Sequence, residues 1–97
     1  MPTYLALFNW TDQGIRNVRD TVDRYERSTE LAEKHGVSFE QVYWTVGPYD
    51  IVGLFEAPDD ESVSAFLLEL SSAGNLRTTT LRAYNRDEMS SILGRLS

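Results

Sequence analysis

From Thr3 to Trp10 nearly every side chain is apolar, with Tyr4, Leu5, Ala6, Leu7 and Phe8 in unbroken succession. A run of that length and aromatic content predicts a strand buried on both faces. The period then changes. Thr11 is placed to cap a helix and Asp12 falls in its first turn, where the backbone dipole favours an acid. Ile15, Val18, Val22, Tyr25, Thr29 and Ala32 follow at steps of three and four, which predicts one long helix with a single apolar stripe. Asp20 with Arg24, Asp23 with Arg27 and Glu30 with Lys34 set acids four residues ahead of bases on its outer side, and Gly36 suits the turn that ends it.

Strand character returns from Phe39 to Val46, breaks at Gly47-Pro48-Tyr49-Asp50 and resumes from Ile51 to Glu56. Two β-runs around a Gly-Pro turn predict a hairpin. Pro58 and Asp59-Asp60-Glu61 open a second helix, with Asp59 as its cap and Val63, Phe66, Leu67 and Leu70 as its buried stripe. Gly74 ends it, and Leu76 to Tyr84 reads as a fourth strand. Asn85 and Glu88 form a capping-box pair for a short terminal helix whose apolar residues are Met89, Ile92, Leu93 and Leu96. The order β-α-β-β-α-β over residues 1–97 predicts one α+β domain of ferredoxin-like order, a four-stranded antiparallel sheet with two helices on one face.

The central strands do not alternate as a one-sided sheet requires. Tyr4, Ala6, Phe8 and Trp10 oppose Leu5 and Leu7, and Ile51 and Phe55 oppose Val52 and Leu54. Two helices cover one of these faces, and each large apolar side chain left in water forgoes about 1.5–3 kcal/mol. The expectation is a homo-oligomer joined through the sheet face, as in a dimeric α/β barrel. The plainer alternative folds the terminal helix beneath the sheet of its own subunit, although twelve residues are few for that task.

Composition narrows the partners. Fifteen acids against nine bases give a net charge of −6, which repels phosphate and makes nucleic acid and anionic membrane poor partners. The absence of cysteine removes disulfides, thiol chemistry and cysteine-ligated metal. With no basic-then-apolar leader and no apolar run near the ~18 residues of a membrane helix, the default is a cytoplasmic protein.

His35 is the single histidine and falls at the end of the first helix, where a donor suits the free carbonyls. No metal-ligand spacing is present, the acids at Asp59-Asp60-Glu61 read as helix-start charges, and no cofactor is implied. Asp50 in its turn is expected to bond nearby backbone amides. A catalytic use of the same segment would set Tyr49 and Asp50 at a cavity rim as donor and general base. Trp10, Tyr43, Trp44, Tyr49 and Phe55 read first as core or interface. Some of them can instead line an apolar pocket between sheet and helices, with polar contacts from Asn9, Thr78, Thr80 and Arg82. The ligand-binding candidates are therefore Asn9, Trp10, Trp44, Tyr49, Thr80 and Arg82, with Arg82 suited to an anionic ligand or a partner carboxylate.

Four segments also carry a resemblance: Asn9-Trp10-Thr11-Asp12-Gln13-Gly14, Tyr43 to Asp50, Glu56-Ala57-Pro58-Asp59-Asp60-Glu61, and Gly74-Asn75-Leu76-Arg77-Thr78 running into Thr80-Leu81-Arg82-Ala83-Tyr84. Together they resemble the GYD domain family of bacteria and archaea, whose Gly-x-Tyr-Asp element reads here Gly47-Pro48-Tyr49-Asp50. The family is similar to the dimeric α+β barrel superfamily, so the resemblance implies two facing sheets. It implies no single activity, since that superfamily holds cofactor-free monooxygenases, isomerases, haem-degrading enzymes and proteins without chemistry. Three functions stay open: a small-molecule-binding or accessory protein, a cofactor-free monooxygenase or isomerase for a small aromatic or enolisable substrate, and a ligand-sensing regulatory domain.

Overall fold

A strand apolar on both sides belongs in the middle of a sheet, and β1 (Thr3–Trp10) lies there. In the computed structural model, which describes residues 1–97, β1 pairs antiparallel with β3 (Ile51–Glu56) and with β4 (Leu76–Ala83). The hairpin strand β2 (Ser38–Trp44) extends the sheet beyond β3, giving the order β2-β3-β1-β4 of a ferredoxin-like fold.

Register assigns every side chain to a face. Ala6 lies opposite Gly53 and Thr80, and Leu5 opposite Leu54 and Leu81. Tyr4, Ala6, Phe8, Ile51 and Phe55 therefore look toward the helices α2 (Thr21–Lys34) and α3 (Asp60–Ser72), where they join Ala32, Val37, Ala57, Val63 and Phe66 in the core. Phe55 and Phe66 are fully enclosed and meet edge to face with Phe39, at centroid distances of 5.7 and 5.8 Å. Strict alternation along β2 would separate Phe39 from Val42. A bulge between Phe39 and Gln41 shifts the register and returns Val42 and Trp44 to the core side, opposite Gly53 and Ile51.

The single long first helix is corrected by the structure. The segment divides into α1 (Asp12–Arg16), a 3₁₀ turn at Val18–Asp20, and α2. Asn17 ends α1: its amide donates to the carbonyls of Gln13 and Gly14 at 3.2 Å, and its Nδ2 donates to Gln13 O at 2.9 Å. Arg24 then donates to Asn17 O at 2.7 Å, so it is not free to pair with Asp20. The break also turns part of the stripe outward, leaving Ile15 48% and Val22 54% exposed. None of the three expected helix ion pairs forms. The close charge pairs are instead Lys34–Glu69 and Arg82–Glu88, with His35 Nε2 3.6 Å from Glu69.

Two boundaries move as well. β2 stops at Trp44, and Val46 is wholly exposed. The terminal helix α4 (Arg86–Leu93) has 8 residues rather than twelve, and it starts with the expected capping box. It does not fold under the sheet. Met89 and Leu93 remain 46% and 52% exposed, and α4 makes no extended contact with any other element. The face carrying Leu5, Leu7, Val52 and Leu54 is thus left open, bordered by the exposed side chains of Leu81 and Tyr43.

Candidate functional site

On the helix side of the sheet, beneath α2 and beside the end of α3, lies a cavity of about 250 Å³. Phe8, Trp10, Val42, Trp44 and Ile51 line it from the sheet, Tyr25 and Leu31 from α2, and Leu70 from α3. The small side chains of Thr21, Ser28 and Ala73 also belong to the lining. The indole of Trp44 is held at this border, its Nε1 donating to Thr21 Oγ1 at 3.0 Å and its ring meeting Tyr25 edge-on at 5.6 Å. Trp10 carries a buried Nε1 with no hydrogen-bond partner, an uncommitted donor on a lining residue.

Charge in the lining is uneven. Arg24 and Arg27 come from α2, and Glu69 comes from α3. Glu69 already faces Lys34 at 4.0 Å and His35 at 3.6 Å, while Arg27 makes no ion pair. Arg24 spends its guanidinium on the carbonyls of Asn17 and Gly14, at 2.7 and 3.4 Å.

The rim beside Ala73, Asn75 and Leu76 is built by two chain corners that bind each other. Thr11 N donates to Asn75 O at 3.1 Å, and its hydroxyl donates to Gly74 O. Gln13 Nε2 donates to Ala73 O and Asn75 Oδ1, both at 3.0 Å. Gly14 passes so close that a Cβ there would stand 2.0 Å from Asn75 O. Gly74 turns at φ +88°, a region glycine enters without steric cost.

Of the residues singled out in the sequence, Trp10 and Trp44 meet in this cavity. The others lie elsewhere. Asn9, one residue before Trp10, takes the opposite side of β1 and pins the turn by donating to Pro48 O at 2.8 Å. Tyr49 lies in the exposed turn, where its carbonyl accepts from the Thr45 hydroxyl. Asp50 extends the β1–β3 edge: its amide donates to Phe8 O at 2.8 Å, and its Oδ2 accepts from Trp10 N at 2.9 Å.

Thr80 and Arg82 belong to a second polar cluster along the core side of β4. The Thr80 and Thr78 hydroxyls share a hydrogen bond of 2.8 Å. Arg82 lies 5.6 Å from the Tyr4 ring centroid and 4.4 Å from that of Tyr84, donates to Thr3 O at 3.1 Å, and approaches Glu88 at 3.8 Å. The anionic group it meets is therefore in its own chain, at the start of α4. Tyr4 donates to Asp60, and its phenol is pushed up to about 12. Burial is the main cause, the hydrogen bond and charge of Asp60 add to it, and Arg82 opposes it. Asp59 is held below the usual carboxylate range by the Ser62 amide it caps.

Arg24, Tyr25, Arg27, Leu31, Leu70 and Asn75 line the cavity without standing out in the sequence as site residues. Tyr25, Leu31 and Leu70 are apolar positions on helices, where a ligand wall and a core wall read alike. On an unbroken helix the two arginines would belong to outer ion pairs. The signal against that is Asn17, a residue that competes for backbone bonds inside a helix.

The GYD domain model matches residues 4–93 of this chain. The chain is similar to the glutamine synthetase and cystathionine beta-lyase binding protein of Thermus thermophilus, at 37% identity over 84 residues, covering 86% of this chain and 88% of that protein. Its fold is similar to the crystal structure of TTHA0845 from Thermus thermophilus, with a TM-score of 0.61 at 27% identity, over 89% of this chain and 100% of the other. It is also similar to the dehydrochlorinase TftG of Burkholderia phenoliruptrix AC1100, solved with 2,5-dihydroxybenzoquinone, with a TM-score of 0.65 at 13% identity over 88% and 96% of the two chains. At that identity the likeness to TftG is one of fold alone.

Proposed function

The chain belongs to the GYD domain family, and on that premise we propose that it is a small cytoplasmic accessory protein that acts by binding, assembling with further copies of itself and engaging a metabolic enzyme. The open sheet face carries this reading. Leu5, Leu7, Val52 and Leu54 stand at its centre, Leu81 and Tyr43 border it, and α4 leaves it uncovered. A contiguous apolar face of this kind marks an interaction surface, and a second copy offers the same self-complementary patch in return. A relative at 37% identity named for binding two enzymes supplies the class of partner.

The test is binding to immobilised glutamine synthetase and cystathionine beta-lyase from the same source, for the wild type and for Leu54→Arg. The wild type is expected to bind at least one of them. The variant is expected to bind about tenfold or more weakly, because a single copy loses the avidity of an assembly. Wild type that binds neither enzyme would reject the enzyme partner.

A second reading is favoured by the cavity on the other side of the sheet: a small molecule bound between Trp10, Trp44 and Tyr25. Asn9, Tyr49, Thr80 and Arg82 stand outside the lining and serve this reading less well than Arg24 and Arg27 do. Turnover through Asp50 has less support, since its carboxylate accepts from the Trp10 amide and lies outside the cavity.

A further inference from the structure

We propose that the helix-side cavity takes a small monocarboxylate with an aromatic or branched apolar body, its carboxylate held by Arg27. The inference rests on the second reading above, that the cavity binds a small molecule, and adds the chemical class.

Three observations lead to it. The first is size. About 250 Å³ corresponds to roughly eight water volumes, just below the usual range of ligand pockets. That admits a single ring or branched chain with a short acidic tail and excludes a nucleotide. The second is the lining, in which Phe8, Trp10, Tyr25 and Trp44 offer ring faces and edges to an apolar body.

The third is charge. The chain carries −6 overall, yet the cavity is lined by two arginines and one carboxylate. That carboxylate, Glu69, already has Lys34 and His35 beside it. Arg24 is occupied by backbone carbonyls and contributes mainly field. Arg27 has no acidic partner, because Asp23 one turn earlier does not reach it. Arg27 is exposed to solvent where it joins the lining, so its free donors can meet a carboxylate two-pronged from the open side of the recess.

Both tryptophans of the chain line the cavity, so their fluorescence reports its occupancy directly. Three probes share one body: 3-phenylpropionate, 3-phenylpropan-1-ol and 3-phenylpropylamine. The acid is expected to give a saturable change at a Kd about tenfold below that of the alcohol, with the amine weakest, as a charge-assisted bond implies. Arg27→Gln is expected to bring the acid within about twofold of the alcohol while the alcohol itself is unmoved. Arg95→Gln makes the same change of charge outside the cavity and is expected to leave the preference intact. If the alcohol binds as tightly as the acid, or if the acid's advantage survives Arg27→Gln, the carboxylate assignment is wrong and the cavity reading stands. If none of the three binds, both are wrong.

Discussion

Gly14→Ala isolates the corner where the start of α1 meets the start of β4. In most helices this exchange stabilises by about 1 kcal/mol. Here the new methyl would lie 2.0 Å from the backbone oxygen of Asn75, a separation below the 3.0 Å that real Cβ contacts keep. Relief requires about 1 Å of displacement, and the obstacle is main chain, so rotamer changes cannot supply it. Moving Asn75 away costs the Thr11 N–H bond to its carbonyl and disturbs the pair of bonds from Gln13. The Thr11 bond and the two exposed Gln13 bonds, at about 1 kcal/mol each, less about 1 kcal/mol of propensity gain, leave a net loss of about 2 kcal/mol. For a domain of this size that lowers Tm by roughly 8–16 °C. The assay is a thermal melt followed by far-UV circular dichroism. A variant within about 0.5 kcal/mol of wild type, the range of ordinary surface substitutions, would refute the close approach.

Truncating Phe66, fully enclosed against Phe39 and Phe55, is expected to cost about 3–5 kcal/mol in urea unfolding with the m-value unchanged. A loss under about 1.5 kcal/mol would show that the core collapses around the gap. Tyr4 tests linkage with pH. Its folded pKa is raised from 10.0 to about 12, so the unfolded chain releases the proton first and native stability falls as pH climbs through that window. The stability difference between wild type and Tyr4→Phe should be level below pH 10 and then shift against the wild type toward 12. A difference that stays flat across the window would remove the burial and Asp60 contacts as its cause.

Features made by neighbours in sequence are legible from the chain alone. Asn85 and Glu88 lie three apart, and their capping box forms as read. Asp59 caps the second helix for the same local reason. The two-faced character of β1 and β3 follows from alternation, and so does the open face that results. Legibility fails where a distant partner or a one-residue irregularity decides. Arg82 donates to Thr3 O, 79 positions earlier in the chain, and no spacing rule encodes that pair. The bulge before Gln41 inverts the faces of β2, and the break at Asn17 draws Arg24 onto backbone carbonyls and sets Arg27, still exposed, in the cavity lining. One separation is already implicit in the pleat. Asn9 and Trp10 are adjacent in a strand, so they point to opposite faces and one ligand does not meet both.

Whether the open face of Leu5, Leu7, Val52 and Leu54 joins copies of the chain is read most directly from sedimentation equilibrium across a range of concentrations. The wild type is expected at twice its 11.1 kDa or more, and Leu54→Arg at the single-chain mass with an unchanged far-UV spectrum. A folded wild type that stays at 11.1 kDa at every concentration contradicts the account.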